Sequence, residues 1–336
     1  MPEPLLYLKA MGAAAIVSAA FVLTVAMMRW RLDSTSRGLT SENPAWQKLM
    51  CVVGVGAALA VGCNLLSIRL TWPPSNALDR LVVVVIPTAL AIEMLASFGR
   101  VTHWTAWSLR VFLALAIPRI LLHGSVYLGD SREAWNVQQT VWVLTASVAP
   151  LLTVWGLMSR LASVSPGVSN PLSICLATQC CGLTVMMAGY IKGGAAAFPL
   201  AATVAASAIS AWIVPQRARL TRNFTDQAII SIGVVGLFGL LFIGRYFGRL
   251  SAGKELSILL APLLCWVSEI PLVRRRRPWI VGSLRLAMVA IPLVMVLGAA
   301  KKEFDRDMAP LLGRVSRAAT RVHDTPRLAV CIRNCD

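Results

Sequence analysis

Charge is scarce in this sequence. Only 14% of its 336 residues are Asp, Glu, Lys or Arg, while 57% are hydrophobic. A soluble domain has roughly a quarter of its residues charged. A water-soluble fold of this length would need more polar surface to cover its core, so the outside of the molecule faces something apolar. Histidine is scarcer still, with three residues, and no histidine pair completes a zinc site. Eight cysteines are present, but Cys51, Cys63, Cys175, Cys180, Cys181 and Cys265 lie inside apolar runs, and only Cys331 and Cys335 lie elsewhere. That placement excludes a disulfide framework and a zinc-finger spacing. Gly-rich phosphate loops, nucleophile elbows and zinc-protease helices are also missing. The sequence therefore assigns no catalytic residue, no cofactor and no metal ligand, and it argues against an enzyme.

The charge that is present is lopsided, with 32 Lys and Arg against 15 Asp and Glu. A nucleic-acid-binding surface would cluster these bases into one footprint. Here they fall mostly between apolar runs, where they mark cytoplasmic loops and meet anionic lipid headgroups. The expected partner is the lipid bilayer, not nucleic acid.

A bilayer core takes about 20 apolar residues in helical form, because each backbone amide must be satisfied within the segment. The runs lie at 10–28, 49–68, 81–98, 106–128, 134–159, 172–191, 195–214, 227–244, 256–273 and 286–300. The sequence thus predicts an all-α polytopic bundle of about ten spans over 1–300, with a basic tail over 301–336. The first run lacks a basic n-region and a clear cleavage site, so it reads as a retained span. Lys192-Gly193-Gly194 reads as a tight turn that forces the sixth and seventh spans antiparallel. Tryptophans such as Trp72, Trp104, Trp135 and Trp279 sit near run ends, as aromatic belts do.

Odd-numbered loops carry about 15 Lys and Arg, and the N-terminus and the even loops about 8, which puts the odd loops in the cytoplasm. With ten spans both termini lie outside. Residues 309–322 place Leu311, Leu312, Val315, Ala318, Ala319 and Val322 on one helical stripe with Arg314, Arg317 and Arg321 off it. Such a basic amphipathic helix favours an anionic surface, and the alternative is a solvated chain end.

One pattern repeats. Pro87, Glu93, Trp104, Ser108-Leu109-Arg110 and Pro118 match Pro262, Glu269, Trp279, Ser283-Leu284-Arg285 and Pro292 at offsets of 174 to 176, and Arg69 and Arg245 extend the match upstream. The copies lie around 62–128 and 239–300. An offset of six spans is even, so the expected repeat is parallel, as in several transporter folds. Apolar sequences also resemble one another by composition, which is the competing explanation.

Charges inside apolar runs cost about 3 kcal/mol or more on insertion scales and so need a partner or a task. The candidates are Glu93, Arg119, His123 and Glu269. Counted from the shared loop, Glu93 lies about 9 Å deep and Arg119 about 13 Å deep at 1.5 Å per residue. This predicts an ion pair between them, either structural or part of a proton or anion relay through His123 one turn on. For Glu269 the expected partners are Arg274 to Arg277. In Trp72-Pro73-Pro74-Ser75-Asn76-Ala77-Leu78-Asp79-Arg80, the prolines stop any helix, Ser75 is a candidate cap for the next, and Asp79 suits its first turn.

The segments TWPPSNALDRLVVVVIP (71–87), LLHGSVYLG (121–129), MAGYIKGG (187–194), GLFGLLFIGRYFG (236–248) and APLLCWVSEIP (261–271) resemble an uncharacterised family of multi-span proteins from planctomycete-type bacteria. The resemblance covers residues 1 to about 305. It implies a bacterial cytoplasmic membrane and no particular substrate. The expected function is a transporter-like or channel-like protein for a small solute or ion, and the rival is a non-transporting scaffold or complex subunit.

Overall fold

The computed structural model describes residues 4–35, 44–68, 71–97, 103–128, 135–165, 167–213, 219–269 and 277–323, with the side chains of 29–51, 214–226 and 308–323 outside that description. Among the described residues every element is a helix. In order these are α1 (Pro4–Thr35), α2 (Pro44–Leu65), α3 (Ala77–Arg80), a π-helical turn (Leu81–Val85), α4 (Ile86–Ser97), α5 (His103–Leu122) and a short 3-10 turn (Val126–Leu128). There follow α6 (Val137–Val164), α7 (Ser169–Met187), α8 (Ile191–Ile213), α9 (Arg219–Tyr246), α10 (Ala252–Leu260), a 3-10 stretch (Ala261–Glu269) and α11 (Pro278–His323).

Local chemistry explains several starts. α1, α2 and α11 open on proline, whose missing N–H is costless in a first turn. α6 opens on a capping box in which the Asn136 amide donates to Gln139 Oε1 at 3.3 Å. α3, at the end of the Trp72–Arg80 segment, is preceded by Asn76, without a side-chain cap bond, and not by Ser75, whose hydroxyl instead pairs with Thr71 Oγ1 at 3.2 Å. Asp79 does stand in the first turn.

Among the described residues, seven helices are long and apolar enough to cross a membrane, namely Leu5–Met28, Trp104–Leu122, Val137–Val164, Ser169–Met187, Ile191–Ile213, Gln227–Tyr246 and Trp279–Asp307. The about ten predicted from apolar runs exceed this by three. In α2 the described side chains begin at Val52, and the described apolar stretch runs from there to Leu65. The other two runs are interrupted, one by the π turn just before Pro87 and one by the 3-10 stretch that holds Pro262. Pro87 and Pro262 each lack an N–H for the α ladder at these points, although Pro118, Pro150 and Pro199 lie inside uninterrupted helices, so proline alone does not set the two interruptions.

α9 forms the axis. Its apolar window is 94% buried, with Phe238 and Phe242 among its core side chains, whereas the windows of α1 and α11 are only 17% buried. Ile16, Phe112 and Met295 are each about 70% exposed. Outward-facing aliphatic and aromatic side chains of this density suit a hydrocarbon solvent, and the bundle is compatible with a multi-pass membrane protein.

The α7–α8 pair is antiparallel, as expected, but its turn is Ala188–Tyr190, with Gly189 at φ +94°. Lys192, Gly193 and Gly194 belong to the first turn of α8. The glycine is there for contact: a Cβ on Gly194 would lie 2.4 Å from the Gly182 carbonyl oxygen. Small residues let membrane helices approach backbone to backbone. α11 runs without a break through residue 300, where the sequence places the end of the membrane domain.

Candidate functional site: two buried glutamate–arginine clamps

Glu93, near the end of α4, is paired with Arg110 and not with Arg119. Arg110 Nε donates to Glu93 Oε1 and Nη2 to Oε2, both at 2.8 Å, and both side chains are 4% exposed. The guanidinium also lies 5.2 Å from the Trp107 ring centroid. The expected Arg119 pairing fails because α5 begins at His103, seven residues before Arg110. At 1.5 Å per residue Arg110 is about 10 Å along α5 and Arg119 about 24 Å along it, at the far end. Arg119 is exposed in the last turn, and His123 is exposed beyond it, its carbonyl accepting a bond from Arg80. No relay through His123 can start at Glu93.

Glu269, at the end of the 3-10 stretch, accepts a bond from Arg285 Nη2 at 2.7 Å through Oε1. Its expected partners do not hold it: Arg277 is exposed, and Arg274 to Arg276 lie outside the described residues. Arg285 Nη2 also donates to Ser165 Oγ at 2.8 Å, Nη1 donates to Ser169 Oγ at 3.2 Å and Asn170 Oδ1 at 3.4 Å, and Nε donates to Ser268 Oγ. All five guanidinium N–H groups are thereby used. This network joins the α6–α7 corner, the 3-10 stretch and α11. Ser165, Ser169 and Asn170 carried no warning in the sequence, since they lie 115 to 120 residues from Arg285.

The two clamps occupy matching positions. Trp104 and Trp279 point outward, Ser108 and Ser283 bond to backbone carbonyls within their own helices, and Arg110 and Arg285 turn inward to 3% and 4% exposure. Each arginine lies seven residues into its helix.

The opposite ends of the interrupted segments carry two more buried carboxylates. Asp79 accepts from Thr71 Oγ1 at 2.8 Å, and Glu255 accepts from Arg245 Nη1 at 2.8 Å. Asp79 precedes Glu255 by 176 residues, as Arg69 precedes Arg245; Arg69 lies outside the described residues. The signal for this second correspondence was in the sequence and is easily missed, because aspartate replaces glutamate.

Chemically, both clamps hold opposite charges in direct contact inside the bundle, where a charge is tolerated only if paired and hydrogen-bonded. Among the described residues no group of three or more His, Cys, Asp or Glu side chains is arranged to hold a metal ion. A small cavity between α1, α2, α8 and α9 is lined by Val22, Val52, Val55, Ser207, Ala228, Ile229 and Ile232, none of them a clamp residue. The chain matches no protein-family model and no curated protein.

Proposed function

We propose that this chain is a transporter-like or channel-like protein of a bacterial cytoplasmic membrane, handling a small solute or ion. In this reading it crosses the bilayer ten times. The seven uninterrupted helices are joined by α2 and by two composite segments, α3–π–α4 and α10–3-10, and the odd loops face the cytoplasm. The two composite segments are parallel copies of one unit, as is the helix that follows each. The resemblance to planctomycete-type membrane proteins fits this placement.

The observation that carries the proposal is the pair of interrupted helices at matching positions, each tied by a Glu–Arg bond to the helix after it. Proline-interrupted segments at corresponding places in two repeats are a recognised pointer to the binding region of a carrier, since freed backbone carbonyls can line a path. One observation favours the rival, a non-transporting scaffold or complex subunit: the Glu93–Arg110 bond is bidentate and sealed, as a helix fastener would be.

Water access to the interruptions separates the two. Cysteines placed singly at Val84 and Leu264 are treated in native membranes with a membrane-impermeant maleimide from each side. Labelling at either position above the background of the wild-type chain supports a path. Background labelling at both positions, with full labelling of an exposed loop cysteine, rejects transport in favour of the scaffold.

A further inference from the structure

The four helices around the small cavity share one register. Tyr7 of α1 meets Phe198 of α8 with ring centroids 5.6 Å apart, and the hydroxyls of Ser18 and Ser207 meet at 2.6 Å, so α1 and α8 run parallel. A Cβ on Gly54 or Gly62 of α2 would touch Phe21 or Ala14 of α1, and one on Gly233 or Gly236 of α9 would touch Val204 or Leu200 of α8. α2 and α9 therefore run the other way. Val22 and Ser207 lie past the middles of α1 and α8, while Val52 and Ala228 lie before the middles of α2 and α9, so the cavity sits toward one end of the bundle. Its wall exposes apolar surface only, because the hydroxyls of Ser18 and Ser207 bond to each other and to the Thr203 carbonyl. An occupant of the cavity must be apolar there.

Toward that same end, three of the helices carry cations. Arg29 follows Val22 on α1 by seven residues, Lys48 precedes Val52 on α2 by four, and Arg222 precedes Ala228 on α9 by six. At 1.5 Å per residue, their backbones lie about 10, 6 and 9 Å beyond the cavity. Arg31 and Arg219 lie further out on α1 and α9, and the acidic residues of these helix ends are Asp33 and Asp226, so the balance is basic. We propose that the cavity and the basic helix ends beyond it form a site for an anionic phospholipid. A segment of one acyl chain lies against Val55 and Ile232, and the phosphate sits at the level of Arg29, Lys48 and Arg222. A soluble anion would use the basic rim without the apolar slot, and an apolar solute the slot without the rim; an anionic amphiphile uses both. A zwitterionic lipid brings the same chains but adds an ammonium group that the cations repel. The inference goes beyond the transport reading and needs only residence in the bilayer.

Native mass spectrometry of the delipidated full chain in detergent micelles tests it, with phosphatidylglycerol and phosphatidylethanolamine of identical acyl chains supplied in equal amounts. The wild type should retain phosphatidylglycerol about tenfold over phosphatidylethanolamine, the scale of one to two cations beside an anionic headgroup. Arg29→Gln with Arg222→Gln should bring the ratio close to one. Ala228→Leu narrows the cavity and should cut phosphatidylglycerol retention several-fold in protein that still elutes as a single species; Val52→Leu supplies the same reading from α2 should Ala228→Leu aggregate. Excess inorganic phosphate should leave the lipid bound. Equal retention of the two lipids by the wild type, a ratio unchanged by the double substitution, full retention in a folded cavity variant, or release by phosphate would overturn the assignment.

Discussion

Glu93 and Arg110, 17 residues apart on consecutive helices, meet through two parallel hydrogen bonds of 2.8 Å with almost no exposure to the outside. The bond fixes both the separation and the rotation of α4 against α5. Removing one partner of such a pair costs about 3–5 kcal/mol, because the other charge stays buried. Arg110→Ala and Glu93→Ala should each cut the yield of folded, monodisperse protein severely. Arg119→Ala, at an exposed position, should leave it near the wild-type level. Size-exclusion profiles in detergent check all three, and a collapse caused by Arg119→Ala alone would reverse the assignment of the pair.

Replacing both members tests the same bond from the other side. Glu93→Gln with Arg110→Met leaves no ionic group, so the double variant should recover most of the loss seen in Arg110→Met alone, a coupling of about 2 kcal/mol. Thermal unfolding in detergent gives the coupling, and additive losses would show that the two side chains act separately.

At the second clamp the geometry of the guanidinium matters as well as its charge. Lysine has three donors on one nitrogen and cannot reach five acceptors held in a plane around it. Arg285→Lys should therefore lower the midpoint of unfolding by an amount equivalent to about 2 kcal/mol. Ser165→Ala removes one acceptor and should cost about 1 kcal/mol. Equal stability of the wild type and Arg285→Lys would mean that the α6–α7 corner does not depend on this network.

The same joint can be fastened covalently. A Cβ built on Gly282 lies 4.0 Å from the Cβ of Ser169, inside the range of about 3.5–4.5 Å that a disulfide spans. Ser169→Cys with Gly282→Cys should cross-link under mild oxidant, seen as two fragments held together after cleavage at a protease site placed between 270 and 276. Free separation of the fragments would place α7 and α11 further apart.

Glycine contacts give a contrast in sign. Gly194→Ala puts a methyl group 2.4 Å from a backbone oxygen of α7 that cannot move aside, and overpacking of this kind costs about 1–3 kcal/mol or more. Gly298→Ala meets nothing within 4 Å and improves helix propensity, so it should be neutral or slightly stabilising. Thermal midpoints of the two variants should move in opposite directions, or at least differ clearly.

The helical bundle was legible because hydrophobicity alone marks where chain can lie in oil, and among the described residues each predicted run lies mostly in helix. What hydrophobicity could not supply was the start of α5. Arg110 looks like the end of a loop, since arginine ordinarily closes an apolar run, yet the helix had begun at His103 with Trp104 at its rim. That single displacement moved the expected partner of Glu93 nine residues to Arg119. The matched Trp-x-x-x-Ser-Leu-Arg segments held the correction, because they put Arg110 and Arg285 at one position. Gly193 and Gly194 misled in the opposite way: they read as a turn, but the contact of Gly193 with the Tyr190 ring and of Gly194 with Gly182 explains them better. Ser165, Ser169 and Asn170 were not legible at all, because a hydroxyl that meets an arginine more than a hundred residues away leaves no local pattern.

The account stands on the bundle residing in a bilayer, and the most direct measurement is its partition. Membranes carrying the full chain are washed with alkaline carbonate, and the protein is then examined by size exclusion with and without detergent. It should stay in the washed membrane, run as a single species in detergent and aggregate when detergent is withdrawn. Release by carbonate, followed by a monodisperse helical species in plain buffer, would contradict it.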